Sequence, residues 1–185
     1  MDDFTAALDR ADQAAITKPL PASAPARMRF LVRAMKSTRA AATELGISQR
    51  TVERYVRGQL RQPRPELADR LERAVRARWQ PRVRAAARRR AAQTGGIVIE
   101  TRARFGFTAA PGSTDDARIR LITQHLPPDH AARLLDAHTA GAGEQQLRQI
   151  AAEGLGEVYF RDRGRRADGL QVEFTDLDFV ELELG

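Results

Sequence analysis

The sequence predicts an α+β protein, with an N-terminal all-helical helix-turn-helix part followed by a small α+β part. Three observations predict it. Residues 38–57, TRAAATELGISQRTVERYVR, carry the small residues, turn glycine and cap of a helix-turn-helix. From residue 97 the apolar spacing changes from a helical period to a period of two, in IVIETRARFGF. Charge divides near the same place. Residues 25–92 hold 19 basic and 5 acidic groups, net +14, whereas residues 93–185 hold 10 and 15, net −5. Three parts are expected: residues 1–24 as a helix and proline-containing arm, 25–92 as a helix-turn-helix domain with basic helices, and 93–185 as an α+β domain.

In chain order, residues 1–22 read as a short helix and then an extended arm, since Pro19 and Pro21 deny it a helix. Ser23 and Pro25 open a supporting helix whose apolar face is Phe30, Leu31, Ala34 and Met35. In the helix-turn-helix, Ala41 and Ala42 permit close approach, and Gly46 sits where a positive φ is cheap only for glycine. Ile47 and Val52 fill the corner, Leu45 and Tyr55 extend the apolar face, and Ser48 caps the second helix. Its other face holds Gln49, Arg50, Glu53, Arg54 and Arg57, side chains that reach base edges and phosphates when such a helix enters a major groove. An ordinary αα-hairpin is the plainer alternative.

Gly58 ends that helix, and Arg61 and Arg64 lie in a proline-punctuated turn. Pro65 and Glu66 start the next helix, with Leu67, Leu71 and Val75 inward, and Trp79-Gln80-Pro81 breaks it. Residues 82–92 form a helix too poor in large apolar side chains to bury much of itself. It is either a solvated surface helix or one lying along phosphates through Arg82, Arg84 and Arg88. Trp79 is read as a core anchor in preference to a base-stacking platform. Thr94-Gly95-Gly96 marks the expected domain boundary. A half-buried strand follows, then a turn, then a helix begun by Ile119, Leu121 and Ile122 and stopped before Pro127. Two more helices are expected at 129–138 and 144–154, with a short strand at Val158, Tyr159 and Phe160. A basic loop at 161–169 and two final strands, around Leu170, Val172 and Phe174 and then at 179–184, complete a small sheet with about three helices on one face.

Composition excludes several classes. There is no cysteine, hence no disulfide, thiolate metal site or cysteine nucleophile. No stretch is long and apolar enough to span a bilayer, and the acidic start lacks a signal-peptide pattern, so a cytoplasmic protein is expected. His125, His130 and His138 share no helical face and stand with no carboxylate pair, so no metal site is assigned. His130 and Arg133 match the H-x-x-R box of tyrosine recombinases, with Tyr159 downstream, but two fixed residues in four arise readily by chance. The richest chemistry lies in Ser113-Thr114-Asp115-Asp116. Hydroxyls followed by acids are equally what the first turn of a helix looks like.

Several long blocks, in order, resemble one family. QRTVERYVRGQLRQPRPELADRLE, RWQPRVRA, TGGIVIETRARFGFTAAPGSTDDAR and AAEGLGEVYFRD look like the terminal proteins of linear actinomycete chromosomes and plasmids, which are joined covalently to 5′ telomere ends. The likeness runs from about residue 20 to 178 and is weak over 123–143. It implies end-patching synthesis on a linear replicon, primed by a protein hydroxyl that accepts the first deoxynucleotide. In the family's APGSTDDAR block that hydroxyl belongs to the threonine, here Thr114, and the block is intact from Ala109 to Arg118. Asp115 and Asp116 would hold Mg²⁺ or steer the hydroxyl, although a polymerase can bring its own Mg²⁺. Residues 93–185 would then be a priming and interaction domain, and the chain a nucleotide acceptor more than an enzyme. The implied partners are telomeric DNA as a single-stranded 3′ overhang, a DNA polymerase and a telomere-associated protein. The competing expectation is a helix-turn-helix transcription regulator whose α+β part dimerises or senses a ligand.

Overall fold

A computed structural model describes residues 3–108, 118–160 and 171–185. The chain is α+β and divides into two compact units, residues 16–82 and residues 1–15 together with 83–185. The first is all helical. The second holds a three-stranded antiparallel sheet and its helices.

The helical unit is built from α2 (Ala24–Met35), α3 (Thr38–Leu45), α4 (Gln49–Val56) and α5 (Pro65–Arg78). Its starts are the ones serine and proline dictate. The hydroxyls of Ser23, Ser37 and Ser48 accept from the amides of Ala26, Ala40 and Thr51, and Pro65 opens α5. Gly46 takes φ 63° and turns α3 into α4. Met28, Leu31, Ala41, Leu45, Val52, Tyr55, Leu71 and Val75 are buried together, with Ile47 and Leu67 packed against them. Glu72 ties α5 to α2, bonding Arg76 at 2.7 Å and Arg27 at 2.9 Å. The Arg76 guanidinium holds the Glu72 carboxyl below the usual range, with Arg27 adding to the effect against an opposing push from burial. That pairing stabilises the unit above the ordinary carboxylate pKa and is lost as pH falls below it.

The ends of this unit are bound to each other. Trp79 Nε1 donates to the Lys18 carbonyl at 2.8 Å, and its ring meets Phe30 edge-to-face at 4.8 Å. Gln80, held at φ 46°, accepts from the amides of Thr17 and Lys18. Trp79 is thus an anchor, not a free ring.

In the second unit the central strand is β1 (Ile97–Thr108), flanked by β2 (Arg118–Leu126) and β3 (Gln171–Leu184), all antiparallel. Ile97, Ile99, Thr101, Ala103 and Phe105 point inward and are buried, while Glu100, Arg102 and Arg104 face out. The one polar member of the inward row, Thr101, donates its hydroxyl proton to the Phe179 carbonyl at 2.8 Å. Two helices pack on the strands, α1 (Phe4–Ala14) and α8 (Glu144–Leu155), and α7 (Pro128–Thr139) packs against both of them. Phe4, Leu8, Leu134, Leu147 and Leu155 join the strand residues in one core. The remaining helix, α6 (Pro81–Arg90), contributes no buried residue of its own and runs into a wide helical turn, Ala91–Gly95.

Four expectations are corrected. Residues 118–126 form β2, not a helix: pairing Ile97 with Leu126 and Thr101 with Ile122 along β1 satisfies the backbone and buries Ile122 and Leu126. Val158, Tyr159 and Phe160 belong to a helical turn, Gly156–Phe160, that continues α8 and lays Phe160 against Phe105 at 5.4 Å. The two final strands are one. β3 runs unbroken because Asp178 and Thr175 are absorbed as bulges, each an extra residue opposite β1. The division of the chain also falls elsewhere than at 24/25 and 92/93. The α1 helix packs in the sheet unit because Phe4 and Leu8 are fully buried in its core, and Thr94-Gly95-Gly96 lies inside that unit. Leu170, the 161–169 stretch and Ser113-Thr114-Asp115-Asp116 lie outside the described residues.

Gly96 sits at φ 70°, ψ −163°, a conformation open essentially to glycine alone, and a Cβ there would strike the Leu126 carbonyl and the His125 ring. Gly96→Ala is therefore expected to cost about 1–3 kcal/mol or more and to lower the thermal midpoint of the sheet unit by roughly 5–15 °C. Circular dichroism melts of the whole chain check this, and a midpoint within about 2 °C of wild type would contradict it.

Candidate nucleic-acid interface

The second helix of the helix-turn-helix, α4, buries Val52 and Tyr55 and turns its other face outward. Gln49, Arg50, Glu53, Arg54 and Arg57, with Gln59 just beyond, line a single concavity of about 640 Å³. Gln49 Nε2 donates to Glu53 Oε1 at 3.0 Å. Arg50, Arg54 and Arg57 are exposed and have no side-chain hydrogen bond or ion pair among the described residues. The guanidinium groups therefore stand ready for an external anion. Tyr55 faces the opposite way. Its hydroxyl donates to the Gln62 carbonyl at 3.4 Å, and burial pushes its pKa up, against a smaller lowering by Arg54.

The other arginines divide by position. Arg61 and Arg64, between α4 and α5, are exposed, as is Arg82 at the start of α6. The helical unit as a whole carries 16 basic and 5 acidic groups, net +11, and the sheet unit 15 and 19, net −4. Arg84 and Arg88 have a different employment. Both guanidinium groups bond the Asp12 carboxylate, Arg88 Nε at 2.7 Å, and Asp12 is 1% exposed. Arg88 also donates to the Thr139 hydroxyl at 3.1 Å. These two side chains hold α6 to α1 inside the sheet unit. Their spacing in the sequence suits a phosphate as well as a carboxylate, so only the partner reveals the difference. The signal for Asp12 was present, because Phe4, Leu8 and Asp12 recur every fourth residue and put an acid on the buried stripe of α1.

Thr114, Asp115 and Asp116 lie outside the described residues; in sequence they fall between β1 and β2. The three histidines are held by separate partners. His125 Nε2 meets the Gly95 carbonyl at 2.6 Å, buried His130 meets Glu157 at 3.0 Å, and His138 meets Asp9 at 3.4 Å. Arg133, the other residue of the H-x-x-R match, pairs with Glu153 and holds that carboxyl below the usual range. A separate cleft of about 850 Å³ lies between α8 and β3, bordered by Glu144, Arg148, Glu153, Glu173 and Phe174. No described helix is long and apolar enough to cross a membrane.

No protein-family model, curated protein or solved structure matches the chain.

Two arginine pairs should respond differently to removal. Arg50→Ala with Arg54→Ala is expected to weaken DNA binding, and to reduce the slope of log K against log salt by about 0.9 for each of the two that neutralises a phosphate as well as reaching a base. Arg84→Ala with Arg88→Ala is expected to leave that slope alone and to destabilise the sheet unit by about 3 kcal/mol, since Asp12 is left buried and unpaired. Salt titrations of binding and chemical denaturation of the same variants separate the two, and a reversed pattern would exchange their roles.

Proposed function

We propose that this chain is a telomere terminal protein of a linear replicon, a DNA-binding protein whose own hydroxyl primes synthesis of the 5′ end. The observation that supports it best is the pairing, in one chain, of a helix-turn-helix whose α4 arginines have no side-chain partner among the described residues with the intact Ala109-to-Arg118 block. The basic unit, net +11, would hold the terminal DNA. In the priming step the Thr114 Oγ attacks the α-phosphate of a deoxynucleoside triphosphate. A phosphodiester forms between threonine and the nucleotide, the bond to the β-phosphate breaks, and pyrophosphate leaves. The hydroxyl proton passes to a carboxylate, from Asp115, Asp116 or the polymerase. The 3′-hydroxyl of the attached nucleotide then primes the polymerase, which supplies most of the catalysis and the Mg²⁺. A telomere-associated protein would deliver the complex to the 3′ overhang at chromosome ends in the nucleoid.

The cleft between α8 and β3 favours a second reading, a transcription regulator that senses a polar ligand there. Covalent attachment discriminates, because a regulator acquires no nucleotide.

Thr114→Ala is expected to abolish attachment and leave DNA binding intact. Thr114→Ser keeps a hydroxyl in place and should retain some attachment, and Ser113→Ala most of it. Most single substitutions cost only about 0.5–3 kcal/mol, so the variants should still fold. Each is incubated with labelled deoxynucleotide, Mg²⁺ and a polymerase-containing extract, then resolved under denaturing conditions. Wild-type levels of label on Thr114→Ala would remove Thr114 and turn attention to Ser113, Thr108 or Tyr159.

A further inference from the structure

The α4 face is specific enough in its chemistry to choose among forms of DNA. We infer that it takes double-stranded DNA in the major groove and reads G·C pairs there, with Glu53 as a specificity-determining residue. This rests on the DNA-binding half of the proposed function and not on its priming half.

Single strands without regular structure are gripped by stacking their bases on aromatic rings along a basic groove. The α4 face has the charge and lacks the rings. Its lining is Gln49, Arg50, Glu53, Arg54, Arg57 and Gln59. The helical unit has three aromatic residues, and none is on that lining. Tyr55 is 4% exposed, and Phe30 and Trp79 pack against each other. A helix presented edge-on with polar side chains matches instead the width of the B-form major groove, where residues near the N-terminus of the helix meet base edges.

Glu53 decides what is read there. It is the one acid in a lining that holds three arginines. Against a phosphate backbone a carboxylate only repels, so it weakens binding that ignores sequence. A carboxylate gains something at a base edge, where it accepts from the cytosine N4 amine. Gln49, bonding one oxygen at 3.0 Å, fixes the carboxylate on the outward face and leaves its second oxygen for that amine. Arg50 and Arg54, four residues apart and so on one face, have the fork geometry that pairs with guanine O6 and N7. Donor and acceptor together call for G·C pairs.

The test uses the full-length chain. Its preferred site is selected from duplexes randomised over about twelve base pairs, roughly one helical turn. Binding of wild type, Glu53→Gln and Glu53→Ala is then measured on the selected duplex, on random duplex and on each separated strand. Wild type should select G·C-rich duplex and bind it more tightly than either strand. Both variants should bind random duplex more tightly than wild type does, and their preference for the selected duplex should fall roughly 5–150-fold. The isosteric Glu53→Gln preserves helix and side-chain volume, so its result stands whether or not the alanine variant folds well. Unchanged discrimination in Glu53→Gln, weaker binding to every duplex alike, or tightest binding to a single strand would each overturn the inference. Nucleotide labelling of the same wild-type preparation reads the priming step independently. Label without duplex discrimination keeps the priming function and removes this reading, and discrimination without label does the reverse.

Discussion

The buried carboxylate of Asp12 is the constraint on which the sheet unit depends. A charge at 1% exposure is tolerable only when paired and hydrogen-bonded, and Arg84 and Arg88 supply both. They come from the far side of a whole inserted unit, so the bond joins the two pieces of chain from which the sheet unit is made. Around it, Phe4 and Leu8 bring α1 into the core, and Arg10 reaches the Val180 carbonyl on β3 at 3.0 Å. A hydrophobic side chain at position 12 would have tolerated several registers of α1 on α6. A carboxylate shared by two guanidinium groups tolerates far fewer, because their directional bonds must all be made at once.

The helical unit solves the opposite problem. It must bury a small core and still keep cations unpaired on one helix. Apart from Glu53, its acidic residues lie elsewhere. Glu72 takes Arg27 and Arg76, and Glu44 takes Arg78, all away from α4. Of the arginines on α4, none is drawn into an ion pair among the described residues, and Glu53 is steered by an amide rather than by a guanidinium.

What could be read from the sequence was whatever depends on near neighbours in the chain. The serine caps, the Gly46 turn, the Pro65 start and the alternation of β1 follow from local chemistry, and the structure has them where the residues require. Residues 118–126 could not be read this way. Ile119, Ile122 and Leu126 fit a helical stripe, yet β1 offered a longer set of partners, and Ile119 and Leu121 were left 56% and 65% exposed as a result. Tertiary pairing outweighed period. The same holds for Arg84 and Arg88, whose partner lies more than seventy residues upstream and leaves no trace in their own neighbourhood. The exposed arginine face of α4 was legible because it needs only helical spacing and a known buried side. Thr114 rests on the likeness of its block alone, since local spacing cannot separate a nucleophile from a cap.

Trp79 and Gln80, which close the helical unit against residues 17 and 18, have a consequence for how the chain is made. That unit is contiguous, complete once residue 82 has been synthesised, and able to fold early on the ribosome. The other unit is not. Its first helix emerges before the helical unit, and β3, which supplies one whole side of the central strand, emerges after it. Until then α1 and the exposed edge of β1 must wait with their apolar residues uncovered. The helical unit is thus ready before the rest, and the nascent chain carries a finished helix-turn-helix while its sheet is still unfinished.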